Sequence, residues 1–249
     1  MDEPMTSTGT AFPFPGGIGV SHLRVYDTPA PDGLSGGTPH LHTVCTEAYV
    51  VIAGSGAVHT LTPAGHQQWP LEPGAFVWFT PGTIHRLVNQ GGLEIVVLMA
   101  NAGLPEAGDM VITFPPAIVD DRDEYWRAAS LPDHDRTTVG PGDAPRHRRD
   151  LAVPVFVDMV AAMQAGDDAP LRRFYDATRR LVEPSLNEWE SIWRAGPLEA
   201  ANTTGRQLAA LASGDTSHLL SAAVRAMPPP TSERRFGCCG TLGTYVDAR

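Results

Sequence analysis

Between residues 18 and 114 the apolar positions fall in short runs, alternating or unbroken, cut apart by turn residues; beyond Val119 they recur at three- and four-residue intervals instead. The first habit belongs to strands, whose side chains alternate with period two, and the second to helices, with period 3.6. The runs predict strands at Gly19–Tyr26, Thr38–Val44, Ala48–Ala53, Ala57–Thr62, Gln68–Leu71, Ala75–Phe79, His85–Asn89, Leu93–Ala100 and Met110–Phe114. Between them stand Pro31-Asp32-Gly33, Gly54-Ser55-Gly56, Pro63-Ala64-Gly65, Pro73-Gly74, Pro81-Gly82 and Gly91-Gly92, each a turn signal. Many short strands at close spacing predict a mainly β fold, an antiparallel sandwich or barrel.

The later half reads differently. Asp120 to Asp150 is charged and reads as a short helix followed by a connector. Leu171, Phe174, Tyr175, Thr178, Leu181, Val182, Leu186, Trp189, Ile192 and Trp193 then make one apolar stripe, the mark of an amphipathic helix. Pro184 lies inside it and should kink or split it. Further helices are expected at Phe156–Met163, Leu198–Leu211 and Ser217–Met227, the last stopped by Pro228–Pro230. The chain thus divides into a flexible N-terminal arm (1–16), a β-barrel (17–118), a linker with a short helix (119–153) and an α-helical C-terminal extension (154–249). The stripe must bury its face on the barrel or companion helices, over the barrel mouth, or in a dimer interface.

Composition narrows the functions. With 42% hydrophobic and 18% charged residues among 249, the chain can bury a sizeable core. Its net charge of −10 opposes a nucleic-acid partner, which needs clustered basic side chains. The polar, acidic start shows no signal peptide, and no run approaches the ~18 apolar residues of a membrane span. Three cysteines, two of them adjacent, make no disulfide framework. A soluble, cytoplasmic protein is expected. The chain has no lysine, so all 18 fixed cations are arginine, and Schiff-base chemistry is excluded.

The chemistry concentrates in His40-Leu41-His42-Thr43-Val44-Cys45-Thr46-Glu47. Histidines at i and i+2 share a strand face, and Glu47 can join them if the chain turns between. A fourth candidate, His85, follows the Pro81-Gly82 turn. Three imidazoles and one carboxylate suit Fe(II), Mn(II), Ni(II), Zn(II) or Cu(II), and the donor set alone does not choose among them.

These segments resemble the two motifs of the cupin superfamily. His40, His42, Glu47 and Gly54 match the first, a His-x-His followed by a spaced Glu and Gly; Gly74, Gly82, His85 and Asn89 match the second, with Thr80 where the family's first proline stands and Pro81 beside it. The resemblance covers roughly residues 18 to 115. It implies a cupin-type antiparallel β-barrel (double-stranded β-helix, or jelly roll), here followed by an α-helical C-terminal region. It also implies a divalent transition metal, Fe(II) favoured, a small-molecule substrate and a homodimer. Among the reactions known in the family, sugar-phosphate isomerisation fits poorly, because phosphate needs cations and the barrel offers only Arg24 and Arg86. The leading expectation is an oxidoreductase, an Fe(II)-type dioxygenase acting on a neutral or weakly anionic metabolite. Tyr49, of the same parity as Glu47, is the candidate catalytic residue that positions substrate. A non-catalytic sensor or carrier, and a metal-dependent isomerase or cyclase, remain open.

Overall fold

The computed structural model describes residues 14–132, 136, 142–230 and 234–245. The expected N-terminal arm lies almost wholly outside the described residues. Nine strands form one antiparallel sheet: β1 (Gly19–Val25), β2 (His40–His42), β3 (Glu47–Thr62), β4 (Gly65–Leu71), β5 (Phe76–Phe79), β6 (Ile84–Met99), β7 (Met110–Ile112), β8 (Arg235–Phe236) and β9 (Gly240–Thr244). The spine is β3 against β6, running from Glu47 opposite Met99 to Leu61 opposite Ile84. On the other side of β3, β5 covers its first half and β4 its second. On the other side of β6, β1 covers one end, and β2, backed by β7, meets the other at the pair His40–His85.

Two pairs of expected strands are therefore single long ones. The Gly54-Ser55-Gly56 cluster does not end β3; it bends it, with register shifts between Val51 and Gly56. Gly54 has φ +72°, and a Cβ there would fall 2.1 Å from the Gly92 carbonyl oxygen. Only glycine allows that bulge. Across from it, Asn89 Oδ1 accepts from Gly91 and Leu93 N–H while its amide donates to Val25 O, so β6 also passes its glycines unbroken.

The curled sheet has two apolar faces. The inner one packs Leu23, Val51, Val58, Leu71, Leu87 and Ile95 together. The outer one, with Leu41, Leu61, Ile84 and Phe114, is covered by helices that contribute Phe156, Phe174, Leu181 and Trp189. The helices are α1 (Pro116–Val119), α2 (Arg122–Ala129), α3 (Asp143–Gln164), α4 (Ala169–Val182), α5 (Leu186–Trp193) and α6 (Glu199–Ala212). Pro184 splits the long stripe as expected, through a 3-10 turn at Glu183–Ser185 between α4 and α5. The stripe packs into the core shared with the sheet.

Three expectations need correction. The supposed connector before residue 150 is the first part of α3, because its arginines turn inward and find acceptors. Arg148 donates to Ala129 O and Gly237 O at 2.9 and 2.7 Å, and Arg149 to Thr28 O and Pro29 O at 2.8 and 2.7 Å. The helix expected at Ser217–Met227 is only a 3-10 turn, Ser217–Ser221. Leu219, Leu220 and Val224 there are exposed, and a short helix with no face to bury does not hold. Nor is the chain helical to its end: residues 235–236 and 240–244 are strands, and β9 adds to the sheet beside β1. Among the described residues, no helix is long and apolar enough to cross a membrane.

Candidate metal centre

The four residues predicted as ligands come together. His40 and His42 point inward from β2, with Leu41 between them on the helix-covered face; Glu47 opens β3, and His85 lies beside His40 on β6. All four side chains are buried, and one donor atom from each lies within 4.8 Å of the others.

Each imidazole is aimed by its second nitrogen. His40 Nδ1 meets Thr38 O at 2.8 Å, and His85 Nδ1 meets Thr83 O at 3.1 Å. A carbonyl only accepts, so both Nδ1 atoms carry the proton and both Nε2 lone pairs face the cluster. His42 Nδ1 is held instead by Asp109 Oδ2, at 3.1 Å. Gly82, at φ +85°, makes the turn that starts β6, and its N–H donates to His42 O.

Glu47 Oε2 stands 3.4 Å from His42 Nε2 and 3.1 Å from His85 Nε2. Yet this oxygen and His85 Nε2 are buried without a hydrogen bond of acceptable geometry. Orphaned inward donors of this kind are what a bound cation satisfies, so the residues fit a divalent metal.

The electrostatics of the protein without metal point the same way. Burial alone would raise the Glu47 carboxyl, but His85 and His42 outweigh it and hold it well below the carboxylate range. Burial would also lower His42, but its hydrogen bond to Asp109 and the adjacent Glu47 carboxylate lift it to about 9. His40, by contrast, is driven well below its ordinary value by burial and by the neighbouring His85 and His42. The cluster thus offers one anion and at least one neutral imidazole, the forms a metal takes.

A cavity of about 370 Å³ opens onto the candidate ligands His40, His42 and Glu47. Its remaining wall is mainly apolar, including Leu23, Val97, Met99 and Met110, and among the described residues no arginine lines it. Cys238 and Cys239 line it too, from the four-residue turn that joins β8 to β9. The sequence shows Gly237-Cys238-Cys239-Gly240 as a tight turn, and Gly237 N–H does bond Gly240 O. What the local sequence could not show is that this turn reaches the site.

The other candidates separate clearly. Tyr49 is fully buried, edge-on to Phe79, and its hydroxyl has no hydrogen-bond partner. Burial raises that hydroxyl far above its ordinary value, and the nearby Glu47 and Cys239 raise it further. Cys239, not Tyr49, forms the cavity surface there. Arg86 turns away from the ligands, as strand alternation requires, and pairs with Asp32. His59 and His66 are half-buried against each other beside Phe156. Burial and His66 lower His59 to about 4. Cys45 is buried near Asp109. Asp109 itself is the residue that the sequence did not disclose: an isolated acid after a glycine carries no spacing signal.

The family model for the cupin domain matches residues 28–101, the stretch that holds all four ligands. This segment is of cupin type. The chain shares 42% identity over 53 residues with a glucose-6-phosphate isomerase of Thermococcus gammatolerans, 21% of this chain and 28% of the relative. A glucose-6-phosphate isomerase of Pyrococcus abyssi matches at 40% over the same length. The chain therefore spans little more than a quarter of these curated relatives. Among solved structures, a protein with a double-stranded β-helix domain from Klebsiella pneumoniae aligns at TM-score 0.30 and 18% identity, over 38% of this chain and 73% of its own.

Proposed function

We propose that this cupin is a metal-dependent enzyme of oxygen chemistry, a dioxygenase acting on a small neutral or weakly anionic organic substrate. The observation that carries the reading is a buried three-histidine, one-glutamate cluster facing a mainly apolar cavity whose wall, among the described residues, has no arginine. His40, His42, Glu47 and His85 would hold the metal, with Fe(II) the favoured ion. Four protein donors leave room on a six-coordinate ion for exogenous groups, and such an ion supplies activation of oxygen or polarisation of a substrate oxygen.

The protein's own part is to hold and exclude. Leu23, Val97, Met99 and Met110 would take up the apolar body of the substrate and keep water out. Thr38 O and Thr83 O keep the imidazoles in the ligating tautomer. Tyr49, whose free hydroxyl faces Glu47 and Cys239, is proposed to help position substrate through that wall, which Tyr49→Phe tests as a rise in KM with kcat retained.

A second reading is favoured by the similarity to glucose-6-phosphate isomerases: metal-assisted isomerisation without oxygen. A phosphorylated sugar needs cationic partners, and among the described residues the cavity wall provides no arginine. An unphosphorylated carbonyl compound remains compatible with it.

The test is an oxygen-electrode screen of Fe(II)-loaded protein over phenolic, thiol and keto-acid substrates, with Glu47→Gln as the control. Oxygen uptake that depends on substrate and on Glu47 is expected. Turnover that continues without oxygen would replace the dioxygenase by the isomerase, and no turnover with tight ligand binding would leave a sensor or carrier. The homodimer belongs to the same proposal: Trp69, Phe76 and Trp78 stand exposed on adjoining edge strands, and a monomeric mass by light scattering would remove it.

A further inference from the structure

Asp109 is completely buried in the turn that leads into β7, one residue before Met110, which pairs with His42. Its carboxylate serves two elements at once. Oδ2 accepts from His42 Nδ1 at 3.1 Å. Oδ1 accepts from Thr43 N–H at 2.9 Å, from Val44 N–H at 2.8 Å and from the Thr43 hydroxyl. The Thr43 amide is shared with the Asp109 carbonyl. One side chain therefore fixes the ring of a ligand and the first residues of the loop that runs from His42 to Glu47.

The other two histidines are aimed by backbone carbonyls two residues before them, at Thr38 and Thr83. Among the described residues, His42 alone of the three depends on a charged group delivered from another part of the chain, and that group lies beyond the residues that match the cupin domain. A carboxylate on the far nitrogen sets the tautomer, locks the ring and makes the near nitrogen a stronger donor. With Glu47, it also places two negative charges around a doubly charged ion in a buried site, where unbalanced charge is costly.

We infer that Asp109 is a positioning residue of the metal centre, holding His42 and the Thr43–Thr46 loop in the ligating geometry. The inference rests on the metal-binding reading of the four ligands and on no particular reaction.

The test compares wild type and Asp109→Asn in Zn(II) affinity, by chelator competition, and in the visible spectrum of the Co(II)-loaded proteins. Asn keeps the volume but can accept with one oxygen only, so it must leave either His42 or the loop amides without their acceptor. A 10–100-fold loss of Zn(II) affinity and altered Co(II) bands are expected from a folded variant. Thr43→Val, which removes one hydrogen bond to Asp109 and none to His42, should bind Zn(II) within about threefold of wild type. Unchanged affinity and spectrum in Asp109→Asn would overturn the inference, as would an equal loss in Thr43→Val. Should Asp109→Asn not fold, nitrogen-15 NMR of Zn(II)-loaded wild type decides: a protected, carboxylate-shifted Nδ1 proton on His42 supports the role, and coordination through Nδ1 refutes it. If wild type binds no Zn(II), Co(II) or Mn(II), the metal centre itself falls, a result distinct from failure of the Asp109 role.

Discussion

Arg86 is the immediate neighbour of a ligand, and its work lies elsewhere. Only 1% exposed, it donates through Nε to Gly37 O, through Nη2 to Leu34 O, and in a forked pair to Asp32. It ties the loop after β1 to the back of β6, where His85 sits on the front. Burial would raise the Asp32 carboxyl, but the hydrogen bonds and charge of Arg86 prevail and hold it below its ordinary value. Asp32 is an exposed residue and Arg86 keeps its two carbonyl acceptors, so solvent screens the loss, and Asp32→Asn should cost about 1 kcal/mol and lower Tm by roughly 2–4 °C. A depressed carboxyl stabilises above its unfolded value, about 3.9, and that contribution fades as pH falls through the depressed folded value. The Tm gap between wild type and variant should therefore be full at pH 7 and shrink below about pH 4; thermal melts across that range check both points. A gap that stays constant into acid would assign the stability to something other than the ion pair.

Among the elements, β9 bears most directly on the site. It pairs with β1 from Ser21–Thr244 to Val25–Gly240, and its leading turn sets Cys238 and Cys239 in the cavity wall. Removing residues 234–249 should leave β1 with an open edge and the ligands with an incomplete chamber. The expected outcome is a protein that still binds Zn(II) but melts lower and binds a hydrophobic dye; an unchanged melt would show that the strand is dispensable.

The strands that carry ligands were legible because period-two runs and Pro-Gly turns are local signals, and His40, His42, Glu47 and His85 fall within them. The rest depends on contacts between distant residues. Gly240-Thr241-Leu242-Gly243-Thr244 has too few β-branched or aromatic residues to declare a strand. It becomes one by pairing with β1 and by the close approach its glycines allow. Arg148 and Arg149 read as a solvated charge run until the acceptors at Thr28, Pro29, Ala129 and Gly237 are known. Asp109 likewise gains its meaning only from the two strands it joins.

At the scale of the molecule, the centre draws its donors from β2, β3 and β6, so an ion bound there braces the sheet across its width. A ligand bound only by the folded state at 100 times its Kd adds about 2.7 kcal/mol, or roughly 5–10 °C in Tm. Chelation of metal-loaded protein should remove that increment, and calorimetry with and without chelator measures it. The increment should be absent from Glu47→Gln.

The pairing of β1 with β9 also governs the order of events as the chain leaves the ribosome. All four ligands lie between residues 40 and 85, whereas residue 22 meets its partner only at residue 243. The ion's donors thus emerge long before the wall that shields them. Contacts so far apart in sequence form slowly and leave apolar surface uncovered meanwhile. Until residues 238–244 arrive, the side of the cavity that Cys238, Cys239 and Leu242 line has no cover.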